Sequence, residues 1–443
     1  MNAKIDILKT LNISTENVKS FQNAFDENPN NKLLRNTVNN VGIAKAGLNS
    51  EVMNRTNHLY SNKVDDWNVM HQKQSGRCWI FAGMNLYKPG LCQKLNLKDV
   101  KLSANYVQFW DFLEKANFLL NKIQKTVNEP LSGRLVQDIL TSSPEGGWWD
   151  MFISIVNKYG IVPEQVMPDT IDAASTPAMS RIFMSYLRGQ AKELRGMILQ
   201  GASNSEVETM KEGTLKSVYR FLVIHLGQPP ETFDWVYENK DKEVKTLNSC
   251  TPLGFIADLD EQDCVTLIND PRPERPFMKH YTTDYIASVE GKYLDFLNVE
   301  IPTLKSLVKK MLDAGRVVWM SCDVGKKANH DKGVFDEEIH NYSELLGLPK
   351  PLTKADRLDY SDGGGTHAML FTGYHEVDGA ITKWRIENSW GDTKGEKGYY
   401  EMSDNWFDEH VYSSLISKEY LSKEQLAVFD EPIVKLLPWE LPY

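Results

Sequence analysis

The hydrophobic pattern of this chain changes partway along its length, and that change limits the folds open to it. In the N-terminal half, apolar residues recur at helical spacing within 103–127 and twice within 180–227. In the C-terminal half, short runs rich in β-branched and aromatic residues at 317–324, 367–375 and 383–390 are typical of strands. Helices in one half and strands in the other predict an α+β fold.

The ends of the helical stretches carry boundary signals. Ser103 is a predicted N-cap for the first helix, and Gly227, followed by Gln-Pro-Pro, ends the last one. Near the N-terminus, Ser14 is predicted to start a short helix that the sequence NPNNK at 28–32 breaks. The two helices within 180–227 each have an apolar face and are expected to form a helical insertion. The apolar face of the first helix comprises Phe183, Leu187, Leu194 and Ile198. The apolar face of the second helix comprises Leu215, Val218, Tyr219, Leu222 and Leu226.

Composition excludes several classes of protein. Hydrophobic residues make up 41% of the 443 positions, which supports a large core and argues against a disordered chain. The net charge of -10 argues against a nucleic-acid partner, since phosphate binding needs clustered Lys and Arg. No apolar run reaches the ~20 residues of a membrane span, and no signal-peptide pattern opens the chain. We therefore expect no membrane partner and a cytoplasmic location.

The five cysteines are spread along the chain, and none forms a C-x-x-C pair. This usage predicts a reduced, intracellular protein without a disulfide framework. Neither the cysteines nor the nine histidines show the spacing of a tetrahedral metal site, so no cofactor is expected.

Cys78 is the candidate nucleophile. It follows a Ser75-Gly76 turn and precedes an apolar, helix-compatible run at 79–86. That position places the thiol at a helix N-terminus, where unpaired N–H groups and the helix dipole stabilise a thiolate. A buried structural cysteine is the alternative, and the other four cysteines are interpreted in that way.

A nucleophilic cysteine needs an imidazole to take up and return its proton. His367 is the candidate, because it begins a strand-like run directly after the glycine-rich turn Asp362-Gly363-Gly364-Gly365-Thr366. Asn388 lies in Ile386-Glu387-Asn388-Ser389-Trp390-Gly391, on the same strand face as Trp384 and Ile386. Its amide oxygen could orient the imidazole, and Trp390 could shield that hydrogen bond from water.

The order of these motifs resembles that of papain-like cysteine peptidases. Gln72 stands six residues before Cys78-Trp79, and His367 and Asn388-Ser389-Trp390-Gly391 follow. The separation between Cys78 and His367 is about twice the ~130–150 residues found in papain itself. The predicted helical insertion accounts for the surplus, and this combination is similar to the bleomycin hydrolase and bacterial aminopeptidase C branch. Further matching stretches are Leu102–Tyr106, Asn269–Arg272, Cys322–Lys326 and Thr366–Met369.

The resemblance implies a papain-like fold, with a helical half and a β-barrel-like half, and a role for each matching residue. Cys78, His367 and Asn388 would be the catalytic residues, and Gln72 would help to form the oxyanion hole. Gly146 and Gly147 resemble paired glycines whose backbone binds an extended substrate, although a simple helix-entry turn explains them as well.

The resemblance also concerns the C-terminus and the oligomeric state. In the family, a C-terminal arm lies in the substrate groove, and its carboxylate pairs with the free α-amino group of the substrate. This chain ends in Leu437–Tyr443, which is shorter than the family pattern and places the bulky Tyr443 at the substrate. A frayed tail is the alternative. A homohexamer with active sites facing an inner cavity is also implied.

Five segments are expected from these patterns. They are an N-terminal arm at 1–65, a helical half with the nucleophile at 66–170, a helical insertion at 171–250, a β-rich half with His367 and Asn388 at 251–430, and a C-terminal arm at 431–443.

The predicted function is that of a cysteine-type aminopeptidase that hydrolyses N-terminal residues from intracellular peptides through a thioester acyl-enzyme. Three alternatives stay open. A shortened arm would permit endopeptidase action, the same triad would serve an acyltransferase, and a self-assembling binding protein would need no catalysis.

Overall fold

The computed structural model describes residues 13–441 except 65–66, 258, 260–262, 284–287, 292 and 350. The predicted substrate-binding residue Tyr443 lies outside the described residues. Among those described, none of the helices combines the length and the apolar character that a membrane crossing requires.

The helices and strands follow the predicted division between the two halves of the chain. The helices are α1 (Thr15–Glu27), α2 (Pro29–Val41), α3 (Ile43–Ala46), α4 (Ser50–Arg55), α5 (Cys78–Lys94), α6 (Ala104–Lys125), α7 (Arg134–Thr141), α8 (Trp149–Tyr159), α9 (Ile171–Ala174), α10 (Pro177–Leu199), α11 (Asn204–Leu226), α12 (Pro252–Ile256), α13 (Ile301–Asp313), α14 (Tyr342–Leu346), α15 (Lys354–Asp359), α16 (Asp404–His410) and α17 (Lys423–Ala427). The strands are β1 (Asn62–Lys63), β2 (Phe233–Glu238), β3 (Val244–Cys250), β4 (Cys264–Ile268), β5 (Lys279–Thr283), β6 (Leu294–Asn298), β7 (Val318–Cys322), β8 (Ala328–Asn329), β9 (Val334–Phe335), β10 (His367–Val377), β11 (Ala380–Glu387), β12 (Tyr399–Ser403), β13 (Val411–Ser417) and β14 (Val434–Leu436). The α+β prediction is confirmed.

The chain forms two compact units, and the smaller one consists of residues 13–55 and 338–351 as far as these are described. Ser14 caps α1 in a reciprocal capping box with Asn17, as local sequence predicts. The NPNNK sequence ends this helix and also starts the next one, because Asn28 caps α2 and Pro29 occupies its first position.

The larger unit is organised around a mixed sheet with the strand order β14-β5-β6-β4-β13-β7-β10-β11-β12-β9-β8, and β1 pairs with β10. Alternate residues of its central strands enter two different cores. Trp319 and Leu370 pack with α5, α6, α8, α10 and α11, whereas Met320 and Phe371 pack with α13 and α16. The helix α5, which begins at Cys78, therefore lies on one face of the strand that begins at His367.

The predicted helices agree closely with the structure. Ser103 caps α6 through the N–H of Tyr106, and Gly227 ends α11 with a positive φ of 88°. In α10 and α11 the predicted apolar faces are largely buried, whereas Tyr219 remains 36% exposed. The five-segment division stays a prediction.

Candidate active site

Cys78 is the first residue of α5, as predicted. The segment before it is held by Arg77, whose guanidinium is buried and donates to both carboxylate oxygens of Asp169 at 2.7 and 3.0 Å. The same side chain donates to the hydroxyl of Ser75 at 2.8 Å. A bidentate, buried ion pair gives this turn a defined geometry, so that the Cys78 side chain is placed at the start of the helix.

His367 begins β10, directly opposite Cys322 on β7. Its Nε2 atom lies 2.8 Å from Oδ1 of Asn388, which follows β11. The same oxygen accepts the backbone N–H of Ser389 at 2.7 Å. Asn388 is buried, and the pairing of β10 with β11 brings it beside His367 although 21 positions separate the two in the sequence.

Trp390 lies against the imidazole of His367, with ring centroids 5.1 Å apart. It also contacts His330, at a centroid distance of 4.9 Å. The indole is therefore positioned to limit access of water to the hydrogen bond between His367 and Asn388.

Cys78 and His367 line one cavity of about 470 Å³. Gly146, Gly147 and Trp148 form part of its rim, so the structure brings the predicted glycine pair beside the predicted nucleophile. Away from the rim the wall is apolar and comes mainly from α6, α7 and α10. The apolar residues there are Phe118, Leu119, Ile139, Phe183, Met184 and Leu187.

Burial shifts the pKa values of both Cys78 and His367. It raises the pKa of the Cys78 thiol, against the effect of the backbone of Ala368 and of the first helical residues. It lowers the pKa of the His367 imidazole to about 4, and the hydrogen bond to Asn388 opposes that shift. A lone thiolate or a lone imidazolium is thus disfavoured here, whereas proton transfer between the two creates opposite charges that offset each other.

Comparison with known proteins places this geometry in a family. Residues 12–441 match the Peptidase C1-like family. This chain belongs to the Peptidase C1-like family. It is 37% identical to aminopeptidase C of Listeria innocua over 97% of this chain and 98% of that protein. It is 34% identical to human bleomycin hydrolase, with 97% of each chain covered. The crystal structure of PepW from Lactobacillus rhamnosis superposes with a TM-score of 0.93 at 36% identity and covers 97% of this chain and 98% of that one.

Membership of the Peptidase C1-like family makes this chain a cysteine peptidase with a papain-like α+β fold. The predicted resemblance is confirmed.

Gln72 is fixed beside this site, although it does not line the cavity with Cys78 and His367. Its Oε1 accepts the hydroxyl of Ser389 at 2.6 Å, and its Nε2 donates to the carbonyl of Ser75 at 2.6 Å. An amide nitrogen carries two N–H donors, so one remains for a further acceptor. Ser389 thereby connects Gln72 to Asn388, and the sequence contained no sign of that connection beyond the motif itself.

The rim segment Pro144–Gly147 is held by two charged side chains that sequence reasoning missed. Lys115 on α6 donates to the carbonyls of Pro144 and Gly146 at 3.0 and 2.6 Å, and its partner Asp111 lies 2.8 Å away. Glu145 accepts the N–H of Gly76 at 2.5 Å and the hydroxyl of Ser180 at 2.6 Å. Glu145 and Lys115 lie far from each other in the sequence, and only the i, i+4 pairing of Asp111 with Lys115 was visible there.

Both rim glycines meet a geometric requirement. Gly146 has a φ of 84°, which side chains disfavour. A Cβ at Gly147 would lie 2.8 Å from the ring of Trp79, the residue that follows Cys78. The rim backbone can therefore approach Cys78 only because both positions lack side chains.

The described part of the C-terminal segment includes β14, which lies at the edge of the sheet. β14 pairs in parallel with β5. Trp439 lies over the guanidinium of Arg134 at 4.4 Å, and the carboxylate of Glu440 lies 3.1 Å from Arg275. Arg272 donates to the carbonyl of Glu440 at 2.9 Å. These contacts argue against a frayed tail for the described part of the arm.

Proposed function

We propose that this chain is a cysteine-type aminopeptidase that removes N-terminal residues from intracellular peptides through a thioester acyl-enzyme. The observation that carries the proposal is that Cys78, at the start of a helix, shares a cavity with His367, whose Nε2 is bonded to Asn388. The relatives named aminopeptidase C support the exopeptidase assignment.

The hydrogen bonds around Asn388 assign the proton on His367. The backbone N–H of Ser389 can only donate, so the atom of Asn388 that it meets must be the oxygen. That oxygen then accepts from Nε2 of His367, which must carry the hydrogen. Nδ1 is left with a lone pair and can act as the base toward Cys78.

The reaction then follows from these positions. The Sγ atom of Cys78 attacks the carbonyl of the scissile bond as its proton passes to Nδ1 of His367. The resulting oxyanion is bound by the backbone N–H of Cys78 and by the second amide N–H of Gln72, and each such donor contributes roughly 3–4 kcal/mol. His367 returns the proton to the departing amine, and water, activated by the same imidazole, hydrolyses the thioester. The backbone of Gly146 and Gly147 binds the substrate in an extended conformation.

The C-terminal arm is proposed to select substrates with a free N-terminus. A fixed carboxylate at the end of the groove favours an ammonium group at one distance and blocks longer chains. The described part of the arm is anchored through Glu440 and Leu441. If the carboxylate stops short of the scissile bond, the groove admits longer N-terminal portions and the enzyme also cleaves internally.

The selection is tested with one peptide that carries either a free or an acetylated N-terminus. Aminopeptidase action predicts cleavage of the free peptide and strong loss on acetylation. Deletion of 440–443 should abolish this preference. Glu440→Gln keeps the chain length and removes only the ion pair with Arg275, so it distinguishes loss of anchoring from loss of the terminal carboxylate. Equal cleavage of both peptides by the full chain would establish the endopeptidase instead.

The partners are proposed to be peptide substrates and further copies of this chain, in a homohexamer that acts in the cytoplasm. Large apolar side chains of α1 and α2 are exposed, including Phe21 at 57% and Leu33 at 68%, and symmetric closure would bury them. Light scattering at micromolar concentration tests this, and a mass of 50.6 kDa would argue against assembly.

A further inference from the structure

Glu387 is a buried acid that takes no direct part in the proposed reaction. Its side chain is 2% exposed, and both carboxylate oxygens accept a hydrogen bond. The Nε1 atom of Trp67 donates to Oε2 at 2.7 Å, and the Nδ2 atom of Asn85 donates to Oε1 at 2.7 Å. Burying a carboxylate is costly, so a buried acid with two dedicated donors calls for an explanation.

The two partners of Glu387 belong to the elements that carry the reactive groups. Asn85 lies on α5 seven residues after Cys78, two helical turns and about 10 Å along the same face. Trp67 opens the segment that leads to Gln72. Lys88, one turn beyond Asn85, is also buried and pairs with Asp99 at 3.6 Å.

Glu387 itself directly precedes Asn388 at the end of β11. Because side chains alternate along a strand, the two residues face opposite sides of the sheet. Glu387 stands opposite Leu370, whose side chain packs in the core that contains α5, whereas Asn388 bonds to His367. One dipeptide thus contacts both the imidazole and the helix of the nucleophile.

We infer that Glu387 is a positioning residue, which fixes α5 against β11 through Asn85 and thereby sets the distance between Cys78 and His367. This inference rests on the proposed function, in which these two residues react. The hydrogen bond between Asn85 and Glu387 is the contact that fixes α5. Oδ1 of Asn85 has no hydrogen-bond partner among the described residues, so it could accept an N–H from a side-chain amide at position 387.

The test compares Glu387→Leu, which removes both acceptors at similar volume, with Glu387→Gln. The Gln oxygen can accept from Trp67 and its NH₂ can donate to Oδ1 of Asn85, so this variant should recover most of the activity. For each variant, kcat and KM are measured separately with an aminoacyl fluorogenic substrate. The rate of Cys78 alkylation by iodoacetamide is measured as a function of pH, and the melting temperature is recorded.

Glu387→Leu should lower kcat on the order of 10²-fold with KM little changed, because reacting groups displaced by about 1 Å lose that much rate. Its alkylation rate should follow the pH profile of an ordinary thiol. Asn85→Leu removes only the link to α5 and should reproduce both effects, which keeps the test open if Glu387→Leu does not fold.

Glu114→Gln is the matched control. Glu114 is also a buried acid, bonded to Tyr159 and Lys158 on the helical side, and it is not among the described residues that line the cavity. It should lose stability while keeping the parental kcat and alkylation profile.

Three results would overturn the inference: parental kcat in folded Glu387→Leu or Asn85→Leu, an equal loss of kcat in Glu114→Gln, or a loss in Glu387→Gln as large as in Glu387→Leu. Turnover by Cys78→Ala, run in parallel, would instead overturn the proposed function.

Discussion

The imidazole of His367 and the carboxamide of Asn388 meet through Nε2 and Oδ1 at 2.8 Å, and this contact decides which imidazole nitrogen is free to act as a base. The fixed tautomer follows from the second hydrogen bond to the same oxygen, from the N–H of Ser389. In the proposed mechanism Asn388 orients the base, and its hydrogen bond also holds the pKa of His367 above the value that burial alone would impose.

Asn388→Ala should therefore reduce activity without abolishing it. We expect kcat to fall by about 10²-fold, because the imidazole can still take up a proton but is no longer held in orientation. The pKa of His367 should fall further, so the acid limb of the pH profile should move to lower pH. Asn239→Ala, which removes a buried amide from the turn between β2 and β3, is the control. Unchanged kinetics in Asn388→Ala would contradict the orienting role.

Lys115→Met should weaken substrate binding more than catalysis. Lys115 holds the carbonyls of Pro144 and Gly146, and a charge-assisted hydrogen bond contributes about 1.5–3 kcal/mol. We expect KM to rise roughly tenfold or more with a smaller change in kcat. Lys158→Met, which removes a lysine from the ion pair with Glu114, should leave KM unchanged. A parental KM in Lys115→Met would show that the rim does not depend on this side chain.

The buried imidazole should make stability depend on pH. The pKa of His367 is about 4 in the folded protein and near 6.5 when the chain unfolds. Between these values the unfolded chain binds more protons, so this contribution to stability is present above pH ~6.5 and is lost as the pH falls toward 4. Urea unfolding at pH 8 and pH 5 should show that His367→Gln loses less stability on acidification than the parent. Equal losses would mean that the folded imidazole titrates normally.

Peroxide should inactivate the enzyme through Cys78. This thiol is half-buried at the cavity, whereas Cys264 and Cys322 are buried in the two cores. A thiol reagent should restore activity as long as oxidation has not passed the sulfenic or disulfide stage. Mass mapping after graded oxidation checks the order of modification. Modification of Cys92 or Cys264 well before Cys78 would argue against a reactive Cys78.

Local patterns were sufficient for the elements that present the reactive groups. The turn before Cys78, the glycines before His367 and the cap at Ser103 act within a few residues, and each is where the sequence predicts it. Cys264 is expected to be a buried structural cysteine, although its sequence context is polar. The structure buries this residue because it begins the central strand β4.

Contacts between distant segments could not be predicted in the same way. Glu145 reaches Gly76 across 69 positions, and Glu387 reaches Asn85 across 302. β14 joins the sheet beside β5. The three residues of β14 are exposed, exposed and buried in turn, and this short pattern does not specify which strand they pair with. Such contacts depend on the assembled fold, so the residues that support the site were invisible until the strands and helices were placed.

The role of Cys78 as the nucleophile is tested most directly by labelling with an epoxide thiol inhibitor, followed by residue mapping and assay of the same samples. The parent and Cys92→Ala should each bind one inhibitor per chain at Cys78 and lose turnover in proportion to labelling. Cys78→Ala should fold, bind no inhibitor and release no product from aminoacyl or peptidyl substrates. Peptide turnover by Cys78→Ala at the parental rate would contradict the mechanism.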